Sequence, residues 1–246
     1  MRNINNKNLL QQQELAMLKE IDRISREDNL VYYLGYGTAL GAIRHQGFIS
    51  WDTDIDIIVN IDSYKKFCDS IKDKIDSKYE LKSIDTDSTY NSLKARVSLK
   101  GHTHKNIHID IFPMVGSPKT NIGKKLFSKV SYWNYRCYTN KKTDFKTIEK
   151  RTTKASIVKF LLSPVPTSAF INIFNKLSTM FPIEQSSTLY NICGSYGHKE
   201  FISKEWLGEP IYADFEDYKF PVPKKWDKYL THIYGDYMTP KKNNYV

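Results

Sequence analysis

Apolar residues recur with helical spacing at both ends of this chain and with alternating spacing between them. Leu15, Leu18, Ile21 and Ile24 share one face of residues 9–27, which predicts an amphipathic helix laid over a sheet. Residues 31–34 form a short strand-prone run, followed by a turn at 35–37 and a predicted helix over 38–45. Residues 54–59 alternate charged and apolar side chains, the period of a strand with one buried face. Asp62 is placed to cap a helix in which Phe67, Ile71 and Ile75 repeat every fourth residue. Further strands are predicted over 80–84, 93–99 and 107–112. Pro113 is expected to end the last, because it has no N–H for a ladder.

Beyond Met114 the pattern becomes basic, aromatic and helical, broken by Ser163-Pro164-Val165-Pro166. The apolar stretches 157–162 and 170–181 are assigned to core packing. A last helix over 225–237 places Trp226, Leu230, Ile233 and Tyr237 on one face. The pattern predicts an α+β fold with a mostly helical C-terminal half. Residues 1–115 form the core, and residues 116–246 pack on it as part of one compact unit.

With 40% hydrophobic, 26% charged and 13% aromatic residues in 246, the chain has globular composition, which excludes wholesale disorder. No apolar run is long enough to span a bilayer, and the first residues lack a signal-peptide pattern, so the expected location is the cytosol. Cys68, Cys137 and Cys193 form no CxxC pair and are read as reduced, buried thiols. The formal charge of +10 changes the picture more, because residues 119–159 hold twelve Lys and Arg against Asp144 and Glu149, and the remainder is neutral. A local positive patch fits an anionic partner such as nucleic acid, acidic lipid or a polyphosphate substrate; its alternative is a solvated helix face.

The candidate chemistry is concentrated in residues 34–59. Asp52, Asp54 and Asp56 alternate, so a strand presents them on one face, where crowded carboxylates repel unless a cation or protons join them. Hard oxygen ligands of this kind suit Mg2+ or Mn2+. Asp110 stands alone among large apolar neighbours on a second predicted strand; metal-assisted phosphoryl transfer draws carboxylates from neighbouring strands. Gly37 and Thr38, opening the predicted helix, offer backbone N–H groups and a hydroxyl to a phosphate.

The run GTALGAIRHQGFISWDTDIDI resembles the signature of the LicD phosphotransferase family. IHIDIFPM and FEDYKFPVPKKWDKYLTHIYGDYM resemble that family's third-carboxylate strand and C-terminal block. The resemblance implies the nucleotidyltransferase fold of the DNA polymerase beta type, with a mixed β-sheet flanked by helices. It also implies a metal-holding triad of Asp54, Asp56 and Asp110, with Asp52 as an additional family carboxylate, and Mg2+ or Mn2+ as cofactor. Gly37 and Thr38 then stand where the superfamily binds donor phosphate, and Arg44, Lys94 and Arg96 are candidate phosphate clamps. Thr53 and Ser50 depart from the Asp and Pro of many members, away from the triad.

Implied partners are a CDP-linked donor and a glycan acceptor on a lipid carrier, of the lipopolysaccharide, teichoic acid or capsule kind. The head group implied is phosphocholine, with ribitol phosphate, as for fukutin and its related protein, or glycerol phosphate as alternatives. Either Asp110 or Asp52 takes the acceptor's proton, and an aromatic cage, as Trp51, Trp133, Trp206 and the tyrosines permit, would read choline. Residues 119–160 are expected to touch anionic membrane at its cytoplasmic face. Nucleic acid is not an expected partner, since no recognised RNA-binding module occurs. A non-catalytic module of the same fold is expected to lose carboxylates, and all three stand here.

Overall fold

The computed structural model describes residues 2–52, 54–101, 107–143 and 162–239. Five strands form the body of a mixed sheet: β1 (Tyr33–Leu34), β2 (Ile55–Asn60), β3 (Tyr79–Lys82), β4 (Ala95–Leu99) and β5 (His108–Gly116), in the order β1-β2-β5-β4-β3. Only β2 and β5 run parallel; the other pairs are antiparallel. The parallel pair lies at the centre, where Ile55, Ile57, Ile109 and Ile111 are fully buried.

Helix α1 (Arg2–Glu27) buries Leu18, Ile21 and Ile24 of the face its spacing predicts, with Leu15 half-buried and Met17 buried beside them. Asp22 on the same helix is also buried, which its partners make tolerable. It accepts from Tyr32 Oη at 2.9 Å, Tyr218 Oη at 3.0 Å and Arg26 Nε at 2.6 Å. Helix α3 (Ile61–Lys74) buries Phe67, Cys68 and Ile71 and packs on α1. Its N-cap is Asn60, so Asp62 does not cap it; Asp62 lies in the first turn, where the helix dipole favours an acid.

Pro113 does not end β5, which continues to Gly116. On one side β5 pairs with β4 only as far as Ile111, and with β6 (Thr188–Asn191) only from Met114 onward. The Ile111 carbonyl faces that side, accepting from Tyr64 Oη at 2.8 Å. By the period of two, the missing N–H of Pro113 faces the same gap, where no ladder partner waits.

The C-terminal half carries the predicted helices, as α4 (Asn121–Lys142), α5 (Thr167–Thr179), the short α6 (Lys204–Leu207) and α7 (Trp226–Tyr234). It also carries four strands that the sequence reading did not anticipate. β6 and β7 (Phe201–Ser203) extend the main sheet from β5, and β8 (Ile211–Phe215) and β9 (Tyr218–Val222) form a hairpin. β6 and β7 are too short to display a period, and the hairpin turns on Glu216-Asp217 without the usual Asn-Gly signal, holding Glu216 at φ 55°.

Phe170, Phe174 and Leu177 pack into the core as expected, while residues 157–161 lie outside the described residues. Cys68 and Cys193 are buried, Cys137 is half-buried, and all three are free thiols.

Candidate active site

β2 and β5 lie side by side in a register that places Asp56 opposite Asp110, and β4 places Arg96 opposite Asp110 on its other side. Three charged residues thus form a row across adjacent strands. Asp54, just before β2, shares the face of Asp56 by the period of two. The row opens into a cleft of about 220 Å3 lined by Asp54, Asp56, Lys94 and Asp110 on one side and Tyr36, Tyr196 and Glu200 on another.

Asp110 is buried with two cations. Lys94 Nζ lies 2.5 Å from Oδ2, and Arg96 donates from Nε to Oδ1 at 2.7 Å and from Nη2 to Oδ2 at 3.2 Å. Burial opposes its charge, but Lys94 and the Arg96 guanidinium outweigh burial and hold the carboxyl at about 2. Asp56 has the opposite balance. Burial, with Asp54, Asp110 and Asp52 nearby, pushes it well above the carboxylate range despite Lys94.

Among the described residues no three acidic, histidine or cysteine side chains converge as a metal-holding set. The structure turns Asp110, expected as a third metal ligand, toward Lys94 and Arg96. Lys94 and Arg96, expected as clamps on a donor phosphate, are brought together with it.

Helix α2 (Tyr36–His45) begins two residues earlier than predicted, with Gly35 as N-cap, so Gly37 and Thr38 lie within its first turn. The Asp52 carboxylate lies over that turn: a Cβ at Gly37 would stand 2.6 Å from Asp52 Oδ2. The helix N-terminus read as a phosphate site therefore faces an internal anion, which the macrodipole favours. The Thr38 oxygen accepts the backbone N–H of Asp56 at 2.9 Å, and Gly35 N–H donates to the Asp56 carbonyl at 2.8 Å, fixing α2 to β2 at the carboxylate. Arg44 lies near the far end of α2, about 12 Å along the axis. It donates to the Tyr237 carbonyl at 2.6 Å and does not line the cleft. His108 Nε2 lies 3.7 Å from Asp110 Oδ2, and burial beside Arg96 lowers its pKa.

Several residues at the site escaped the sequence reading. Tyr36 opens α2 at φ 44°, a conformation that side chains rarely adopt, and its surroundings hold it there. Its N–H donates to Tyr229 Oη at 3.1 Å, its hydroxyl donates to Glu200 Oε2 at 2.5 Å and accepts from Asn191 Nδ2 at 2.5 Å, and its ring stacks on Tyr196 at 5.6 Å. Glu200 is buried, and the Tyr196 N–H donates to its Oε1 at 2.8 Å. Burial raises Glu200 to about 7, although the Tyr36 hydroxyl and the Tyr196 and Ser195 N–H groups favour its charge. A Cβ at Gly194 would overlap this carboxyl, so only glycine lets the loop close over it. No local pattern in residues 191–200 marks either role.

Glu14, fully buried on α1, has no hydrogen-bond partner for either carboxyl oxygen among the described residues. Burial pushes it up to about 9; the nearby His108 N–H offsets this in part, and Asp54 and Asp52 add to it. Glu14 had a signal: an acid three, four and seven residues before Met17, Leu18 and Ile21, on the buried face. Of the aromatics, Tyr36, Phe112 and Tyr196 border the cleft, whereas Trp51, Trp133 and Trp206 do not.

Residues 29–142 match the family described as LicD/FKTN/FKRP, nucleotidyltransferase domain. A Haemophilus influenzae protein, lipopolysaccharide cholinephosphotransferase LicD, is 28% identical over 249 residues, covering 93% of this chain and 91% of its own. Two uncharacterized proteins, from Rickettsia prowazekii and Rickettsia typhi, are each 42% identical over 41 residues. That is 17% of this chain and 15% and 13% of theirs.

Proposed function

We propose that the chain, which matches the LicD/FKTN/FKRP family over residues 29–142, moves phosphocholine from a CDP-activated donor to a hydroxyl of a cell-surface glycan of the lipopolysaccharide kind. The observation that carries this reading is one cleft lined by Asp54, Asp56, Lys94, Asp110 and Glu200, in a chain aligned along 93% of its length with a cholinephosphotransferase. Carboxylates on the adjacent parallel strands β2 and β5 are also what the nucleotidyltransferase fold requires, and that fold is part of the proposal.

Asp54 and Asp56 are the pair that would hold Mg2+ or Mn2+. Mg2+ is commonly bound by one or two carboxylates completed by substrate phosphates, and the crowding that penalises charge on Asp56 becomes favourable beside a cation. When bound, such an ion screens charge developing on the diphosphate as the nucleotide leaves. Lys94, kept charged beside Asp110, lines the cleft and draws the donor phosphates into it, and Arg96, on the other oxygen of Asp110, adds to the positive potential there. Asp110, held at about 2, is a poor base and serves to position the two cations.

Glu200, at about 7, is suited to take the proton of the acceptor hydroxyl. The hydroxyl oxygen then bonds to the phosphorus distal to cytidine, the bond to CMP breaks, and the proton passes to the Glu200 carboxylate. The rings of Tyr36, Phe112 and Tyr196 line the cleft, and a ring face, such as the one Phe112 turns to Lys94 Nζ at 3.8 Å, attracts a quaternary ammonium group.

The test is CMP release with Mg2+ or Mn2+ from CDP-choline, CDP-ribitol and CDP-glycerol, comparing the intact chain with Asp54→Ala. Release from CDP-choline, lost in the variant, is expected. Release from only an alditol donor would reassign the head group. No release from any donor in the presence of glycan acceptors would overturn the transferase reading.

A further inference from the structure

Helix α4 has three kinds of face. Phe127, Ser131, Asn134 and Tyr138 recur at helical spacing and point into the body of the protein. Ile122, Leu126 and Trp133 fall within an arc of about 40° on a different face, and they are 84%, 63% and 62% exposed. Val130, beside them, is 41% exposed. This apolar stripe, about 16 Å long, has no covering element among the described residues. Along its edge run Lys125, Lys129 and Arg136, all exposed and without an ion pair among the described residues. No Asp or Glu occurs anywhere in α4.

Scattered apolar residues on a surface need no explanation, but an aligned stripe of large side chains next to a cationic row does. A second copy of the chain meeting this face symmetrically would bring the two cationic rows together, which is unfavourable without acids to pair them. A nucleic acid would engage the cations and leave Ile122, Leu126 and Trp133 in water. An anionic bilayer surface satisfies both features, because its headgroups pair with Lys and Arg while the acyl boundary receives the apolar side chains.

We propose that the outer face of α4 docks the protein on an anionic bilayer, with Ile122, Leu126 and Trp133 entering the headgroup boundary and Lys125, Lys129 and Arg136 on its phosphates. The basic segment of the sequence pointed to charge alone; the apolar stripe supplies the part that charge cannot. The inner side of α4 reaches back to the cleft. Tyr135 Oη lies 3.4 Å from Ser92 Oγ, two residues before Lys94, so docking by the outer face holds the cleft close to the membrane. This inference does not depend on the transferase reading, since it concerns binding alone.

The full chain is sedimented with unilamellar vesicles of phosphatidylcholine, with and without phosphatidylglycerol, at low and high salt. Binding to the phosphatidylglycerol vesicles that weakens with salt is expected. Leu126→Ser and Trp133→Ser should each weaken it about tenfold, as the loss of one buried apolar side chain implies, whereas Val31→Ser, on an exposed residue elsewhere, should leave it unchanged. Because these side chains are exposed, the variants should keep the melting temperature of the intact chain. Absence of binding at low salt, or equal binding by the intact chain and Leu126→Ser, overturns the proposal. So does a dimer in sedimentation equilibrium that Leu126→Ser dissociates, which would assign the stripe to a second copy. CMP release from a soluble donor, measured in parallel, separates failure here from failure of the transferase reading.

Discussion

Thr38 Oγ1 accepts the backbone N–H of Asp56 at 2.9 Å, so the first turn of α2 fixes the height of the carboxylate on β2. Thr38 is buried, and removing its oxygen leaves an unpaired N–H in the interior. Thr38→Val should lower stability by about 1–3 kcal/mol and reduce CMP release, whereas Thr38→Ser should restore both. Chemical denaturation and the release assay check this together; a Val variant with full activity would separate Thr38 from the site.

Asp110 is held at about 2 by Lys94 and Arg96, below the 3.8 of an unfolded chain. A depressed carboxyl contributes stability that is complete above the unfolded value and lost as pH falls through the folded one. The contribution is about 2 kcal/mol, from roughly two pKa units. Acid unfolding between pH 4 and 2 should therefore be displaced upward in Asp110→Asn. That variant also leaves two cations without their partner and should lose several kcal/mol at neutral pH. Equal acid unfolding of both proteins would rule out this pairing.

Glu14 presents the reverse sign. With a folded value of about 9 against 4.5, it keeps its proton in the native state. Its contribution is complete below pH 4.5 and lost progressively as pH rises to 9, at about 1.4 kcal/mol per pH unit. Asp54 and Asp52, which face it, reinforce that direction. Glu14→Gln should be more stable than the intact chain at pH 8 and show a flatter dependence of melting temperature on pH. A parallel dependence in the two proteins would place the Glu14 charge in contact with water.

Glu200 controls a different observable. If its carboxylate takes the acceptor's proton, kcat/KM should rise through about pH 7 in the intact chain and lose that limb in Glu200→Gln. Tyr36→Phe removes a donor that favours the charged form, so the limb should move to higher pH. A purely structural Glu200 would lower activity equally at all pH values.

Gly37→Ala tests the packing of Asp52 on α2. The added Cβ would stand 2.6 Å from Asp52 Oδ2, so the carboxylate must swing away. Because alanine favours the helix, stability should change little, by less than about 1 kcal/mol, while CMP release falls. Unchanged activity would show that Asp52, one of the two bases expected from the sequence, takes no part in the reaction.

The acidic row was legible before the fold because a strand has a period of two: Asp54 and Asp56 had to share a face whatever lay beside them. The same reasoning located α1, α3 and the closing helix, whose buried faces repeat at helical spacing. Arg44 lies outside the cleft because a motif reports which residues lie close in sequence, and α2 carries its ninth residue away from the carboxylates.

The sequence by itself determined where carboxylates and apolar faces occur along each element, since local geometry fixes those periods. Tertiary structure alone decided what each face meets. It gave Asp110 two cations, set Glu200 from a single 3-10 turn into the cleft, and left one apolar stripe of α4 exposed while another face of the same helix was buried. These outcomes depend on which strand lies beside which and on what water is displaced, and such contacts join residues far apart in the chain, Tyr36 and Glu200 by 164 positions and Asp22 and Tyr218 by 196. Charge, burial and hydrogen bonding act over ångströms in space, and no spacing along the chain encodes them.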